Sequence, residues 1–220
     1  MADPADPAQP APEAPDPPHA RGPDLPPEEG QAAALLSFIE LADRLKHVAR
    51  AARTGGRAEN SAEHAWHVAL IAVLLHEEVS PRPDLGRVLA MIAVHDLVEI
   101  EAGDTFAFDD HALLTQRKRE AAAAARLFST LPSGMAARLS ALWEEFEACR
   151  TAEARFAMGC DRLQGFAQQV ACGAPAWAAV GLTRQRSLIR MQPAIDLGQP
   201  FARLIEHLYA RAMARGLLRP

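Results

Sequence analysis

From Gln31 onward, apolar residues recur at intervals of three and four, the spacing of amphipathic helices. Leu35, Leu36, Ile39, Leu41, Ala42 and Leu45 form the first stripe and predict a helix running to about Arg50. Thr54-Gly55-Gly56-Arg57 reads as a loop. Ser61 then reads as the N-cap of a long helix, with His64 at N3 and with Trp66, Val68, Leu70, Ile71, Leu74 and Leu75 facing inward. Pro81 and Pro83 end it. A third helix starts at Asp84 and carries an apolar run, residues 88–94, up to His95-Asp96. Glu101-Ala102-Gly103-Asp104 is a turn signal.

An Ala-rich fourth helix is predicted over about 111–131, closed by Pro132, with two more over 135–146 and 152–170. Gly173 and Pro175 break the chain again, and 177–190 reads as helix or loop. A last helix covers 196–215. Neither a repeat nor a convincing strand stands out. The expected fold is all-α, a compact single-domain helical bundle over residues 31–220. Residues 1–30 form a separate regime: prolines alternate with Ala and Asp, little there could be buried, and a disordered N-terminal tail is expected.

Composition narrows the picture. Ala is abundant while Val, Ile, Tyr and Phe are scarce, which favours helices over strands. A formal net charge of -5 supplies no long-range attraction to nucleic acid or to anionic lipid. No apolar stretch reaches the roughly 18 residues of a membrane span, and no signal pattern opens the chain. A cytoplasmic protein is expected. Cys149, Cys160 and Cys172 lack metal-ligand or CxxC spacing and read as structural thiols.

The chemistry starts at His95-Asp96. Two adjacent helical residues point about 100° apart, so an apolar run rarely ends in two polar groups for packing alone. Backbone hydrogen bonds at the helix end would satisfy them, and so would a divalent cation. His64 opens the preceding helix. Asp161 lies among Phe156, Ala157, Met158 and Leu163, where a charge must be paired, with Arg162 or another arginine, or metal-bound. Two His and two Asp give a mixed N/O donor set that suits a first-row cation better than Ca. Glu99 follows Asp96 by three residues and projects to the same side if the turn continues. Glu99 and Glu101 read either as a solvated pair or, for Glu99, as a carboxylate that moves a proton beside a cation-activated water. Asp104, after Gly103, can turn back toward the same place.

The order Glu-Asn-Ser-Ala-Glu-His64, then His95-Asp96-Leu-Val-Glu99, Ala102-Gly103-Asp104 and Asp161 resembles the HD-domain metal-dependent phosphohydrolases, and most of all their small branch containing the 5′-deoxynucleotidases. The resemblance runs from about residue 31 to at least residue 170. It implies that His64, His95, Asp96 and Asp161 bind one divalent metal ion (Mn, Co, Fe, Ni, Zn or Mg). It makes Glu99 the residue acting on the attacking water and places Asp104 at the sugar or water side. Leu45-Lys46-His47-Val48-Ala49-Arg50 is similar to the family's Leu-Lys-x-x-x-Arg, which makes Arg50 the phosphate-binding candidate, with Arg53 and Arg57 as rivals.

Two-metal members of the superfamily add histidines before the last Asp, whereas here that interval holds only His111. The implied activity is therefore a metal-dependent phosphomonoesterase releasing phosphate from (deoxy)nucleoside 5′-monophosphates. The implied partner is a small-molecule phosphate ester, with a homodimer as an option. The alternatives are a non-catalytic metal- or nucleotide-binding module, or hydrolysis of a different phosphate ester.

Overall fold

The computed structural model describes residues 27–219. Most of the segment expected to be disordered, up to residue 26, lies outside the described residues. Helix α1 is Pro27–Asp43 and starts a few residues before the expected boundary. A proline in the first helical turn forfeits no hydrogen bond, because those N–H groups have no intrahelical acceptor.

The helix does not reach Arg50. It tightens into a 3-10 turn, Arg44–His47, and the chain then forms an antiparallel hairpin of β1 (Ala49–Thr54) and β2 (Arg57–Asn60). This hairpin corrects the reading of 54–57 as a plain loop. Its two-residue turn is Gly55-Gly56, with φ of 51° and 87°. Positive φ at both central positions is the type I′ arrangement favoured by tight hairpins, and glycine adopts it without strain. Short strands whose one β-branched residue is Thr54 carry no clear period-2 signal, so the turn was the one legible cue.

Helix α2 (Ser61–Leu75) is capped by Asn60 rather than Ser61: the Asn60 side chain accepts from Glu63 N–H, and the Glu63 side chain accepts from Asn60 N–H. Ser61 is instead buried with its hydroxyl spent on Glu99. The face that α2 buries is Ser61, His64, Val68 and Ala72. Because this face is narrow and small, Trp66, Leu70, Val73 and Leu74 on the other side are exposed, against the expectation for Trp66, Leu70 and Leu74.

Helix α3 (Leu85–Val94) is capped by Asp84 and delivers His95 and Asp96. One turn later comes the short α4 (Glu99–Ala102), closed by Gly103 at φ 74°. Then follow α5 (Asp110–Phe128), α6 (Ser133–Ala148), α7 (Ala152–Cys172), α8 (Pro175–Val180), α9 (Arg184–Ile195) and α10 (Gln199–Ala214). The ambiguous 177–190 stretch is thus mostly helical.

Helix α7 is the axis of the molecule. Phe156, Ala157, Cys160, Leu163, Phe166 and Val170 on it are buried together with Val68 and Ala72 of α2, Met91 and Ile92 of α3, and Phe201 and Ile205 of α10. Burial raises the Cys160 thiol well above its ordinary pKa, in keeping with a structural role. A second cluster, Val94, Val98, Ala123, Leu127, Phe128 and Trp143, holds the α3–α4 junction against α5 and α6. The chain is therefore helical as expected, with one hairpin added.

The Asn60 cap fixes the turn that presents His64. Asn60→Ala should cost about 1 kcal/mol of stability, read as a lower urea midpoint, and Asn60→Asp should restore most of it.

Candidate metal centre and its adjoining cleft

Six stretches of chain converge on one point. The first turn of α2 supplies His64, the end of α3 supplies His95 and Asp96, and α4 supplies Glu99. The bend at Gly103 turns Asp104 inward, and the middle of α7 supplies Asp161. Arg50 arrives on β1.

Both histidines are buried, His64 completely. His64 Nδ1 lies 2.6 Å from Gln164 Oε1, and His95 Nδ1 lies 2.7 Å from the Ile92 carbonyl. The Gln164 amide is oriented by its other end, whose nitrogen donates to Glu59 at 2.8 Å. Both Nδ1 atoms therefore face oxygens that only accept and must carry the protons. This leaves a lone pair on each Nε2, and neither Nε2 has a hydrogen-bond partner among the described residues. Burial, followed by Arg50, lowers the His64 pKa to about 4, which keeps the ring neutral.

Carboxylates face these lone pairs. His64 Nε2 is 3.0 Å from Asp161 Oδ1 and 3.8 Å from Asp96 Oδ2, while His95 Nε2 is 3.2 Å from Asp96 Oδ1. Ligand atoms of His64, His95 and Asp96 all lie within 4.8 Å of one another, and Asp161 adjoins that triad through His64. Acceptors without a shared proton repel, and burying them together is costly. A cation between them removes the cost. Ligand atoms held 2.0–2.2 Å from one cation stand roughly 2.8–3.6 Å apart across octahedral and tetrahedral geometries, a range that includes the two shorter contacts. The donor set therefore fits a divalent cation. Without one, burial pushes Asp96 up to about 8, only partly opposed by Arg50.

The remaining expected residues gather around this centre. Glu99 is buried, accepts from Ser61 Oγ at 2.6 Å, and is raised well above the usual carboxylate range by burial and then by Asp96 and Asp104. Arg50 lies 3.2 Å from Asp96 Oδ2, 3.3 Å from Asp104 Oδ1 and 3.6 Å from Glu59 Oε2. Burial alone would lower the Arg50 pKa, but the carboxylates outweigh it and hold the side chain charged. Its rivals lie elsewhere: Arg53 bonds the Gly56 carbonyl at the hairpin tip, and Arg57 pairs with Glu63 at the surface. Glu101 is likewise a surface partner, of Arg126. His111 is exposed at the start of α5 and takes no part.

The site has members that the sequence did not disclose. Gln164 and Glu59 hold His64. Glu120 and Glu147 line the cavity beside His95. Arg162 and Arg190 line the same cavity, with Arg162 bonded to the Arg190 carbonyl at 2.7 Å. Gln164 sits three residues from Asp161 on α7, a helical neighbour of a ligand candidate, and that spacing was the one available signal. Arg190 is distant in sequence from every motif.

A cleft opens from the centre. It has about 640 Å³ of empty space including its mouth. Arg50, Asp104, Asp161, Arg162 and Arg190 form its near wall, shared with the metal centre. Phe106, Phe108, Phe166, Trp177 and Met191 line the rest.

Known proteins bear on this arrangement. A family model described as an HD domain matches residues 42–200. Human and Xenopus laevis proteins named 5′-deoxynucleotidase HDDC2 are 29% and 30% identical over 136 and 134 residues, in each case 60% of this chain. The chain spans about 65% of the length of these relatives. A crystal structure described as a predicted metal-dependent phosphohydrolase from Magnetospirillum magnetotacticum is 39% identical, with a TM-score of 0.83 over 90% of this chain and 100% of that one. A Pyrococcus horikoshii protein shares the fold at 21% identity and a TM-score of 0.57, over 81% of this chain and 98% of that one. The family match covers the whole constellation from Arg50 to Arg190, and the chain belongs to the HD-domain family.

Proposed function

We propose that this protein is a metal-dependent phosphomonoesterase acting on nucleoside 5′-monophosphates, deoxy forms included. The observation that carries this reading is the pair of buried, unpartnered histidine Nε2 atoms facing Asp96 and Asp161 at the head of an aromatic cleft. The names borne by the human and Magnetospirillum relatives support it.

His64, His95, Asp96 and Asp161 would hold the ion. When bound, a divalent cation there polarises the phosphoryl group and lowers the pKa of water. Glu99, fixed by the Ser61 hydroxyl, takes a proton from the attacking water. Arg50 and Arg190 offset charge on the phosphate oxygens, with the planar fork of Arg50 suited to two of them. Asp104, held against Arg50 at the junction of the two compartments, meets the sugar. The carboxylates Asp96, Glu99, Asp104, Glu120, Glu147 and Asp161 would otherwise repel a phosphate dianion, so the cation is needed for binding as much as for chemistry.

Phosphate release from a nucleotide panel, with Mn, Co, Ni, Zn and Mg tried in turn, tests the activity directly. No release from any nucleotide or sugar phosphate would overturn the proposal. His95→Ala and Asp96→Ala should each abolish bound metal, measured by elemental analysis, together with turnover. Glu99→Gln should keep the metal while kcat falls by about 10²–10⁴. Gln164→Leu removes the acceptor that sets the His64 tautomer, and should weaken metal affinity by about 10–100-fold in a competitive chelator titration.

A further inference from the structure

The end of the cleft away from the metal centre contains one polar group that nothing explains. Gln169, in the last turns of α7, is only 5% exposed and lines the cleft beside Phe166, Trp177 and Met191. Its Oε1 has no hydrogen-bond partner among the described residues. A buried amide oxygen left unpaired is costly, and a leucine at this place would have avoided the cost. The surrounding walls are aromatic: Phe166 and Trp177 stand 4.9 Å apart between ring centroids, and Phe106 and Phe108 stand 5.7 Å apart. An unpaired amide oxygen beside aromatic side chains complements a flat heterocycle that carries an N–H on its edge.

We propose that Gln169 is a specificity-determining residue that accepts a hydrogen bond from the N–H edge of the substrate's nucleobase. This inference rests on the phosphomonoesterase reading for what lies at the other end of the ligand, and it adds the reason for preferring a nucleotide to a bare sugar phosphate. Each common base offers such a donor: an amino group on adenine and cytosine, ring N–H and amino groups on guanine, a ring N–H on thymine and uracil. The amide therefore selects for a base without fixing which one.

The test is nucleoside binding to the full chain by isothermal titration calorimetry, with thymidine and 3-methylthymidine as probes. The methyl group removes the one N–H of the base edge. Wild type should bind thymidine about tenfold more tightly than its methyl analogue. Gln169→Met, close in shape and lacking the acceptor, should erase that gap by weakening thymidine alone, whereas a purely steric effect of the methyl group would survive in this variant. Gln169→Glu gives a second readout: a carboxylate should improve deoxyguanosine, which offers two adjacent donors, and weaken thymidine, whose N–H is flanked by carbonyls. Equal binding of the two probes by wild type, a gap that persists in Gln169→Met, or no binding of any nucleoside would overturn the inference. Phosphate release from 2-deoxyribose 5-phosphate reports the catalytic reading separately. Hydrolysis without the thymidine gap removes only the base contact; the gap without hydrolysis of any ester removes only the phosphomonoesterase.

Discussion

The arrangement of this protein turns on one electrostatic constraint: His64 Nε2, His95 Nε2, Asp96 and Asp161 are all acceptors, and the fold buries them against one another. Such a group is relieved by positive charge at its centre or, short of that, by a proton on Asp96, whose pKa burial raises. The surroundings are built to keep it an acceptor set. Gln164 and the Ile92 carbonyl take the Nδ1 protons, so neither ring can relieve the repulsion by donating from Nε2. Arg50 contributes charge from the side, but it is shared among Asp96, Asp104 and Glu59 and cannot stand in for the ion.

Helix α7 connects that constraint to the core. One side of it carries Phe156, Ala157, Cys160 and Leu163 into the main hydrophobic cluster. Another carries Asp161, Gln164, Gly165 and Gln169 toward the site. The helix that the rest of the bundle packs around thus also supplies a ligand candidate, the amide that orients His64 and the amide at the far end of the cleft. Placing these groups on a packed helix rather than a loop holds their spacing, as preorganisation requires.

Helical periodicity and the breakers Pro81, Pro83, Pro132, Gly173 and Pro175 were enough to recover the long helices, though not the short α4 or the division of 177–190 into α8 and α9, because amphipathic stripes and backbone-limited residues act locally. The motif residues were legible through their order along the chain, which resembles the HD-domain pattern; the polar pair ending an apolar run fitted helix-end hydrogen bonds as well as a cation. What escaped had non-local causes. Whether Asn60 or Ser61 caps α2 depends on Glu99, 38 residues after Ser61, claiming the serine hydroxyl. The β1–β2 hairpin has no alternating pattern because its strands are short and mostly charged or small. Arg162 and Arg190 look like ordinary helix-surface cations until α9 is packed beside α7. Trp66 misled for the opposite reason: its size suggested core, but α2 meets α7 through Val68 and Ala72 on another face.

The two compartments are also related by length. Asp161 and Gln169 are eight residues apart on one helix, a rise of about 12 Å, so the cation end and the amide end of the cleft are held at a set separation. A ligand that reaches both needs an anionic group at one end and a flat donor-bearing ring at the other, joined by a spacer the size of one sugar. Arg50, Asp104 and Arg190 border both compartments and face that middle section. A bare sugar phosphate would engage the cation end and leave the Gln169 oxygen unpaired. A mononucleotide would answer the charge at one end and bring a donor to the unpaired Gln169 oxygen at the other, which neither a bare sugar phosphate nor a free nucleoside would do alone.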